Sequence, residues 1–401
     1  MNRKRILESK KKGSVIPLVL IAIVILSVMG AGLLSLGFQS RAYAIRTTSE
    51  VAARNAADAG LTKAIYQMNE KLEAKPWDGS SLPSTAGEAL PNCDSTFSYA
   101  VTLQNGTYHI ESTGTSGRME KTVCAALRLS GPFEYAIFTE DYITMKNGSS
   151  IDWINYDEGD VNLKIGTNSI ESDSIDLKNG VYINGDVVVG PGGIPDVVIS
   201  DAGATITGDI YVTSEAYELP DVTVPEYLQD MPSGGTISGN TTINVSAKYD
   251  RINLSNSKII TIDGDVTLYI TGDVTLKNSA ELRIVDEDTN PDASLTLYLG
   301  GDVEVKNSGT INNITEDSRK LKMYGLNECQ NIDLKNSCDF YGAIYAPNAD
   351  VVMMNSADAY GSVVSKSFEQ KNSASFNYDV ALRDAGMDDE IAYFVINRWS
   401  E

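Results

Sequence analysis

The sequence predicts an α+β protein with three parts in chain order: one long N-terminal helix, a small antiparallel β-meander, and a parallel β-helix (solenoid). Three observations support this class. An uncharged apolar run continues directly into an alanine-rich, helix-forming segment. Short strands then alternate polar and apolar residues around Asn-Gly and Ser-Gly turns. Beyond them, one strand signature recurs over about 250 residues.

Charge and composition exclude several classes of function. The chain has 401 residues and a net charge of −22, and its first thirteen residues alone are strongly basic. The remaining acidic surface disfavours nucleic acid as a partner, because phosphates need a basic face. The single histidine, His109, and the four cysteines show no clustered spacing typical of a metal site. We therefore expect no metal, no cofactor, no catalytic residues and no enzymatic activity.

The N-terminus has the pattern of a membrane segment. Residues 1–13 form a basic leader, and residues 14–40 contain no charged side chain. A run of this length can cross a hydrocarbon core of about 30 Å as a helix. The basic cluster is expected to stay cytoplasmic, which places the bulk of the chain outside the membrane as a single-pass protein.

Two processing hypotheses remain for this segment. A secretory signal peptide would be cleaved after Ala44, at the small-x-small site Ala42-Tyr43-Ala44. The alternative keeps the apolar segment and removes only the leader. The apolar run is longer than the usual signal-peptide core of about 7–15 residues. It also continues into helix-forming sequence as far as about Leu72, so we favour one retained helix over residues 14–74.

The N-terminal region resembles a known family. A basic leader ending in Gly, an apolar helix and the run AADAGL (residues 56–61) are similar to the N-terminus of PilX-type minor pilins of the type IV pilus. The resemblance covers about residues 10–72. It implies that Gly13 is the last leader residue and Ser14 the first mature one. It also implies a prepilin peptidase, the pilus assembly machinery and other pilin-like subunits as partners. Leu18 stands where major pilins carry Glu, a residue that the PilX-type branch commonly lacks.

A meander is predicted within residues 75–131. Residues 75–95 are rich in Gly, Pro and Ser and indicate a linker. Three alternating strands follow, separated by turns at Asn105-Gly106 and Ser116-Gly117, and are expected to pack on the lower part of the helix. In an extracytoplasmic protein, a disulfide between Cys93 and Cys124 is plausible.

Residues 132–381 repeat one strand pattern, in which two apolar residues and an Asn share one parity. Each Asn is followed by Gly or Ser, and most copies place a small residue two positions later. The eight positions are Asn147, Asn179, Asn256, Asn278, Asn307, Asn336, Asn355 and Asn372.

Repeats of uneven length, each with an apolar strand, favour a parallel β-solenoid in which corner loops vary and strands stack. Because Asn shares the parity of the inward apolar residues, we interpret it as an inward corner residue. Its amide would form a hydrogen-bonded ladder with the Asn of the next coil. The alternative is that these tripeptides are surface turns.

The segments GAIYAPNADV and NYDVAL resemble the β-helical region often attached to PilX-type N-termini. Residues 382–401 are expected to cap the open end of the solenoid. Cys338 occupies the small position of its repeat, which leaves open whether it packs as a small apolar residue or bridges to Cys329.

Together these features favour a structural subunit of a type IV pilus or related filament. It would be held in the cell membrane before assembly and would then display an acidic β-helix at the cell surface for assembly or adhesion. The alternative is a membrane-anchored β-helix that binds or cleaves extracellular polysaccharide, since many β-helices act on glycans. In either case an extracellular glycan or another surface ligand is a candidate partner.

Overall fold

A computed structural model describes residues 15–74, 77–155, 163–335, 338–354, 358–371, 374–383 and 391–400. The chain divides into two compact units. The first consists of Met1–Arg128 with Phe394–Glu401, and the second is Leu129–Tyr393. A long helix, an antiparallel sheet and many parallel strands confirm the α+β class predicted from the sequence.

The first four strands follow the long helix. The helices are α1 (Val15–Leu72), α2 (Pro195–Val198) and α3 (Glu226–Gln229), with 3₁₀ turns at Ser318–Lys320 and Val380–Arg383. The strands up to the second unit are β1 (Ser84–Ala89), β2 (Ser95–Gln104), β3 (Thr107–Ser116) and β4 (Met119–Ser130).

The remaining strands belong to the second unit, except for the last. They are β5 (Ile137–Met145), β6 (Ser150–Ile154), β7 (Lys164–Thr167), β8 (Ile175–Leu177), β9 (Tyr182–Ile183), β10 (Asp186–Val189), β11 (Ile199–Asp201), β12 (Thr205–Ile206), β13 (Ile210–Val212), β14 (Thr236–Ile237), β15 (Thr241–Ile243), β16 (Ala247–Tyr249), β17 (Arg251–Leu254), β18 (Ile259–Ile262), β19 (Asp265–Ile270), β20 (Val274–Lys277), β21 (Glu281–Ile284), β22 (Ser294–Leu299), β23 (Val303–Lys306), β24 (Thr310–Asn313), β25 (Leu321–Gly325), β26 (Asn331–Leu334), β27 (Phe340–Met353), β28 (Ala359–Gln370), β29 (Ser375–Asp379) and β30 (Tyr393–Ser400).

The antiparallel sheet of the first unit has five strands in the order β1-β2-β3-β4-β30. The predicted hairpins β2–β3 and β3–β4 are present, with left-handed residues in their turns at Asn105, Gly106 and Gly117. Two elements differ from the sequence-based expectation. β1 lies inside the segment expected to be a linker. Residues 393–400, expected to belong to a cap of the solenoid, form β30 at the edge of this sheet.

In the second unit, parallel strands form long ladders whose inward residues are apolar. The first ladder runs β16, β19, β22, β25, β27, β28, β5, β7, β10 and β13. The second runs β14, β17, β20, β23, β26, β27, β28, β5, β8 and β11. Further strands form two shorter ladders, β15-β18-β21-β24 and β28-β29-β6-β9-β12.

The order of strands in these ladders is not the order of the chain. The last long strand, β28, pairs with the first, β5, with Phe368 opposite Ile143. The chain therefore starts in the middle of the ladders, proceeds to one end at β13, and resumes at the other end with β14. Residues 213–235, here called the crossover segment, connect these two ends.

The crossover segment packs on outward-facing residues of the first ladder. One row in register contains Tyr269, Tyr298, Tyr324, Tyr345, Val364 and Phe138. Tyr298, Tyr324, Tyr345, Val364 and Phe138 are almost fully buried, in one cluster with Val222, Val224 and Leu228 of the crossover segment. The Tyr345 hydroxyl donates to the Pro220 carbonyl oxygen over 2.8 Å. The face of this ladder opposite the main core is thus a second apolar core.

The five repeated Asn residues that the structure describes do not face inward. Asn147, Asn179, Asn256, Asn278 and Asn307 are all exposed, which corrects the predicted buried amide ladder. The prediction that the apolar residues before them face inward is correct, since all of these residues are buried. Parity fails at the Asn because the strand ends there, and alternation holds only while the backbone stays extended. Asn336, Asn355 and Asn372 lie outside the described residues.

The corner is a left-handed turn. Asn278 has φ 54° and Ser279 has φ 63°, a conformation that Asn tolerates better than most residues. Similar values recur at Asn256-Ser257 and Asn307-Ser308, whereas at Asn147-Gly148 and Asn179-Gly180 only the glycine is left-handed. Neighbouring corners are joined by the main chain, as the Ser279 N–H donates to the Asn307 carbonyl oxygen over 3.2 Å. Asn278 and Asn307 bring their amides to 3.5 Å, at the limit of hydrogen bonding.

All four cysteines are free thiols, so the predicted Cys93–Cys124 bridge is absent from this structure. Cys93 precedes the first residue of β2, whereas Cys124 lies in β4, two strands away and opposite Glu111. The strand registers separate the two residues by roughly 20 Å, far beyond disulfide reach. Cys329 is buried, and burial raises the pKa of its thiol to about 12, as expected for a packed, unreactive cysteine.

Candidate functional site: the two halves of the N-terminal helix

The first half of α1 is uncharged and exposed. From Val15 to Ser40 it contains no charged residue, and every side chain in this stretch is exposed, for example Leu18 at 72% and Leu33 at 70%. Among the described residues it is the one helix long and apolar enough to cross a membrane. Such a helical stretch measures about 39 Å, which exceeds a hydrocarbon core of about 30 Å.

Three glycines in this half have no packing role within the chain. A Cβ placed on Gly30, Gly32 or Gly37 would meet no other atom within 4 Å. Glycine in a helix interior costs about 1 kcal/mol relative to alanine. Contacts inside this protein therefore do not offset the free-energy cost of these glycines. Small residues do, however, allow the close approach of another helix.

The second half of α1 packs tightly on the antiparallel sheet. Its buried residues share one helix face and are Ala53, Ala56, Ala57, Gly60, Leu61, Ala64, Met68 and Leu72. The AADAGL run thus supplies much of this face. Its helical spacing of three and four residues is the pattern of an amphipathic helix.

Two glycines permit the close approach of helix and sheet. A Cβ on Gly114 of β3 would lie 2.0 Å from the Ala53 carbonyl oxygen, and a Cβ on Gly60 would lie 2.4 Å from Ser112 Oγ. The Ser112 hydroxyl donates to the Ala57 carbonyl oxygen over 2.7 Å. The sequence analysis did not single out Ser112 or Gly114. The signal that could have indicated them is a pair of small residues at one parity in a strand whose other residues are mostly larger.

Two ion pairs lie at the edges of this contact between helix and sheet. Lys121 Nζ lies 2.7 Å from Glu50 Oε1 and lowers the pKa of that carboxyl group through a hydrogen bond and its charge. Lys63 Nζ lies 2.6 Å from Glu88 Oε1, and this hydrogen bond raises the pKa of Lys63. The helix therefore changes character near residue 50, from exposed and apolar to packed and paired.

The predicted processing site, Gly13 and Ser14, lies outside the described residues. The structure nevertheless places the first described residue, Val15, within α1. Among the described residues, no group of three or more His, Cys, Asp or Glu side chains could hold a metal ion.

The Gly-Asp corners of the second unit use their carboxylates for the backbone. Asp302 accepts hydrogen bonds from the main-chain N–H groups of Gln330 and Asn331 at 2.9 and 3.0 Å. Asp186 does the same for the N–H of Asp209 at 2.8 Å. Part of the acidity of the chain therefore serves to satisfy corner backbone groups, a role that needs no ligand.

Comparison with known proteins gives one family match. Residues 204–385 match the family described as "Domain of unknown function (DUF7305)". This match covers the larger part of the second unit and does not include α1. No curated protein matches the chain.

Three solved structures are similar to the chain at low identity. The competence-associated pilin ComZ from Thermus thermophilus has 14% identity and a TM-score of 0.24, covering 88% of this chain and 97% of that one. The DUF3494 domain of the Shewanella frigidimarina ice-binding protein_1 has 13% identity and a TM-score of 0.28, covering 61% and 92%. An ice-binding protein from an Antarctic bacterium of the Flavobacteriaceae has 11% identity and a TM-score of 0.23, covering 60% and 78%. These values are too low to establish a shared fold or function.

Proposed function

We propose that this protein is a structural subunit of a type IV pilus or related filament. In this proposal the apolar half of α1 first anchors the chain in the cell membrane, with the N-terminus cytoplasmic. A prepilin peptidase then cleaves between Gly13 and Ser14, and the same helix packs among the helices of other pilin-like subunits. The second unit is displayed outside the cell for assembly or adhesion, as in a PilX-type minor pilin.

The observation that carries the proposal is the division of α1 into two halves. A plain membrane anchor needs only the apolar span, and a signal peptide does not need the continuation. Here one continuous helix extends from Val15 to Leu72, with its second half fixed to its own sheet. Such a fixed helix can hold its own sheet at a set position relative to a filament core. The three glycines without internal contacts support close packing against other helices.

We further propose that Leu129–Tyr393 is a parallel β-solenoid. The stacked, in-register ladders and their continuous apolar rows support this architecture. A subunit built this way has a stable, extended surface suited to display. No catalytic role is proposed, because the corner aspartates already accept main-chain hydrogen bonds. Binding or cleavage of extracellular polysaccharide remains the alternative function, and glycan turnover by the purified chain would favour it.

The filament proposal can be tested by shearing surface filaments from cells and comparing them with membranes by immunoblot. We expect the chain in the sheared fraction. Gly30→Leu with Gly37→Leu should reduce it there by about tenfold, which corresponds to about 1.4 kcal/mol of lost helix contact. The level in the membrane fraction should not change. Leu33→Phe with Leu36→Phe adds bulk at positions that are already large and serves as the matched control. Absence of the wild-type chain from sheared filaments would contradict the proposal.

A further inference from the structure

The second ladder carries a row of six lysines, interrupted once. The last inward residues of successive strands are Leu276, Val305, Leu334, Met353, Gln370, Met145 and Leu177, which pair in register. The residue that follows each of them is a lysine in every case but one, where it is Met354. The lysine row is Lys277, Lys306, Lys335, Lys371, Lys146 and Lys178.

The row follows the register of the ladder. Main-chain hydrogen bonds continue the ladder through it, for example from Lys335 N–H to the Val305 carbonyl oxygen at 3.0 Å. Neighbouring strands lie about 4.8 Å apart, so six steps from Lys277 to Lys178 span about 29 Å. Chain order does not predict this row, because it requires β28 beside β5.

Some of these ammonium groups are paired and two are not. Lys306 lies 2.5 Å from Glu304, and Lys178 lies 2.6 Å from Asp176. Lys146 and Lys371 share Glu369, each at 3.3 Å. Within the described part of the chain, Lys277 and Lys335 form no ion pair. Such half-exposed surface pairs contribute little to stability, so a polyanion could displace them at low cost.

We infer that the lysine row binds a linear acidic polysaccharide. Lysine supplies point charges that suit carboxylate groups, and a stacked row matches a polymer with evenly spaced charges. The exposed corner amides beside it, including Asn278 and Asn307, can hydrogen-bond sugar hydroxyls. The row therefore provides both charge and neutral polar groups along one line.

The surroundings favour a polyuronate over nucleic acid. The whole chain has a net charge of −22, and Glu304, Asp333, Glu369 and Asp176 lie beside the row, so attraction of a polyanion is confined to the lysines themselves. Single-stranded nucleic acid also requires aromatic side chains on which bases stack. The outward residues next to the row are Thr275, Glu304, Asp333, Val352, Glu369, Thr144 and Asp176, none of them aromatic.

The test uses the full-length protein in detergent micelles and fluorescent oligogalacturonate, a linear polyuronate, at low and at physiological salt. Lys277→Gln with Lys335→Gln should weaken binding by about tenfold and reduce its salt dependence. Lys320→Gln with Lys366→Gln makes the same change in net charge away from the row and should leave binding unchanged. The melting midpoint of each variant checks that it is folded.

Equal binding by the two double variants, or no oligogalacturonate binding at low salt, would overturn the inference. Equally tight binding of oligothymidylate or polyphosphate would overturn the assignment to a glycan. The inference depends only on the second unit. It can therefore fail while the chain still enters filaments, and the filament proposal can fail while the row still binds.

Discussion

At the scale of single residues, backbone conformation accounts for Asn at the corner formed by Asn278 and Ser279. Asn278 adopts a left-handed conformation on the surface, where its side chain makes one long contact with Asn307. A left-handed backbone conformation is unfavourable for residues with large side chains, whereas glycine accepts it readily. This explains the exposed Asn at three of the five described corners, Asn256, Asn278 and Asn307.

We therefore expect two substitutions of Asn278 to differ in their effect on stability. Asn278→Leu should lower the free energy of unfolding by about 1 kcal/mol through backbone strain. Asn278→Gly should stay within about 0.5 kcal/mol of wild type. Urea denaturation of the full chain measures both, and Asn253→Leu, at an exposed position within the regular strand β17, is the control. Comparable destabilisation by Asn278→Gly would instead support an amide ladder.

The sequence predicted the inward rows because burial on one face of a strand imposes a period of two. It could not predict the orientation of Asn278, because the end of a strand depends on a turn that period-two reasoning does not detect. The lysine row had a sequence signal that was not used. Lysine immediately precedes the Asn in six of the eight repeats.

At the scale of elements, the crossover segment holds a buried tyrosine row in place. Tyr345 is fully buried, and its hydroxyl bonds to Pro220. Burial, together with the charge of Asp221, raises the pKa of Tyr345 well above its ordinary value. Burial also raises the pKa of Tyr217, which lies on the crossover segment itself.

These shifts predict a loss of stability at alkaline pH. Unfolded tyrosine loses its proton near pH 10, whereas the buried hydroxyls keep theirs, so the free energy of unfolding falls as pH rises above about 10. Tyr345→Phe should lower stability at pH 8 by about 1 kcal/mol and weaken the pH dependence. Tyr227→Phe, at a 55% exposed position on the same segment, is the control. Urea midpoints at pH 8 and pH 11 provide the measurement, and an identical pH dependence in wild type and Tyr345→Phe would contradict the account.

Sequence patterns predicted local elements well and distant pairings poorly. The end of α1 at Leu72 and the strands β2, β3 and β4 follow from helix-forming sequence and clear alternation. β1 was missed because its small residues, Ser84–Ala89, lack an apolar face. The place of β30 was missed because its partner strand is more than 250 residues away in the chain. Local periodicity carries no information on which strand lies beside it.

At the scale of the whole molecule, the same limit applies to the order of the parallel strands. All strands of a parallel ladder share one pattern, so the pairing of β28 with β5 cannot be read from the repeats. The repeats predict that strands stack, and tertiary packing decides which strands are neighbours. The crossover segment, which interrupts the repeats between β13 and β14, is the physical consequence of that order.

The central claim is that α1 is retained as a working helix after removal of the basic leader. The most direct test is N-terminal sequencing of the mature chain from cells with and without their prepilin peptidase. The account predicts a mature chain that begins at Ser14 and retains the leader when the peptidase is absent. A mature chain that begins at Ile45, or one that keeps Met1 in cells with the active peptidase, would contradict it.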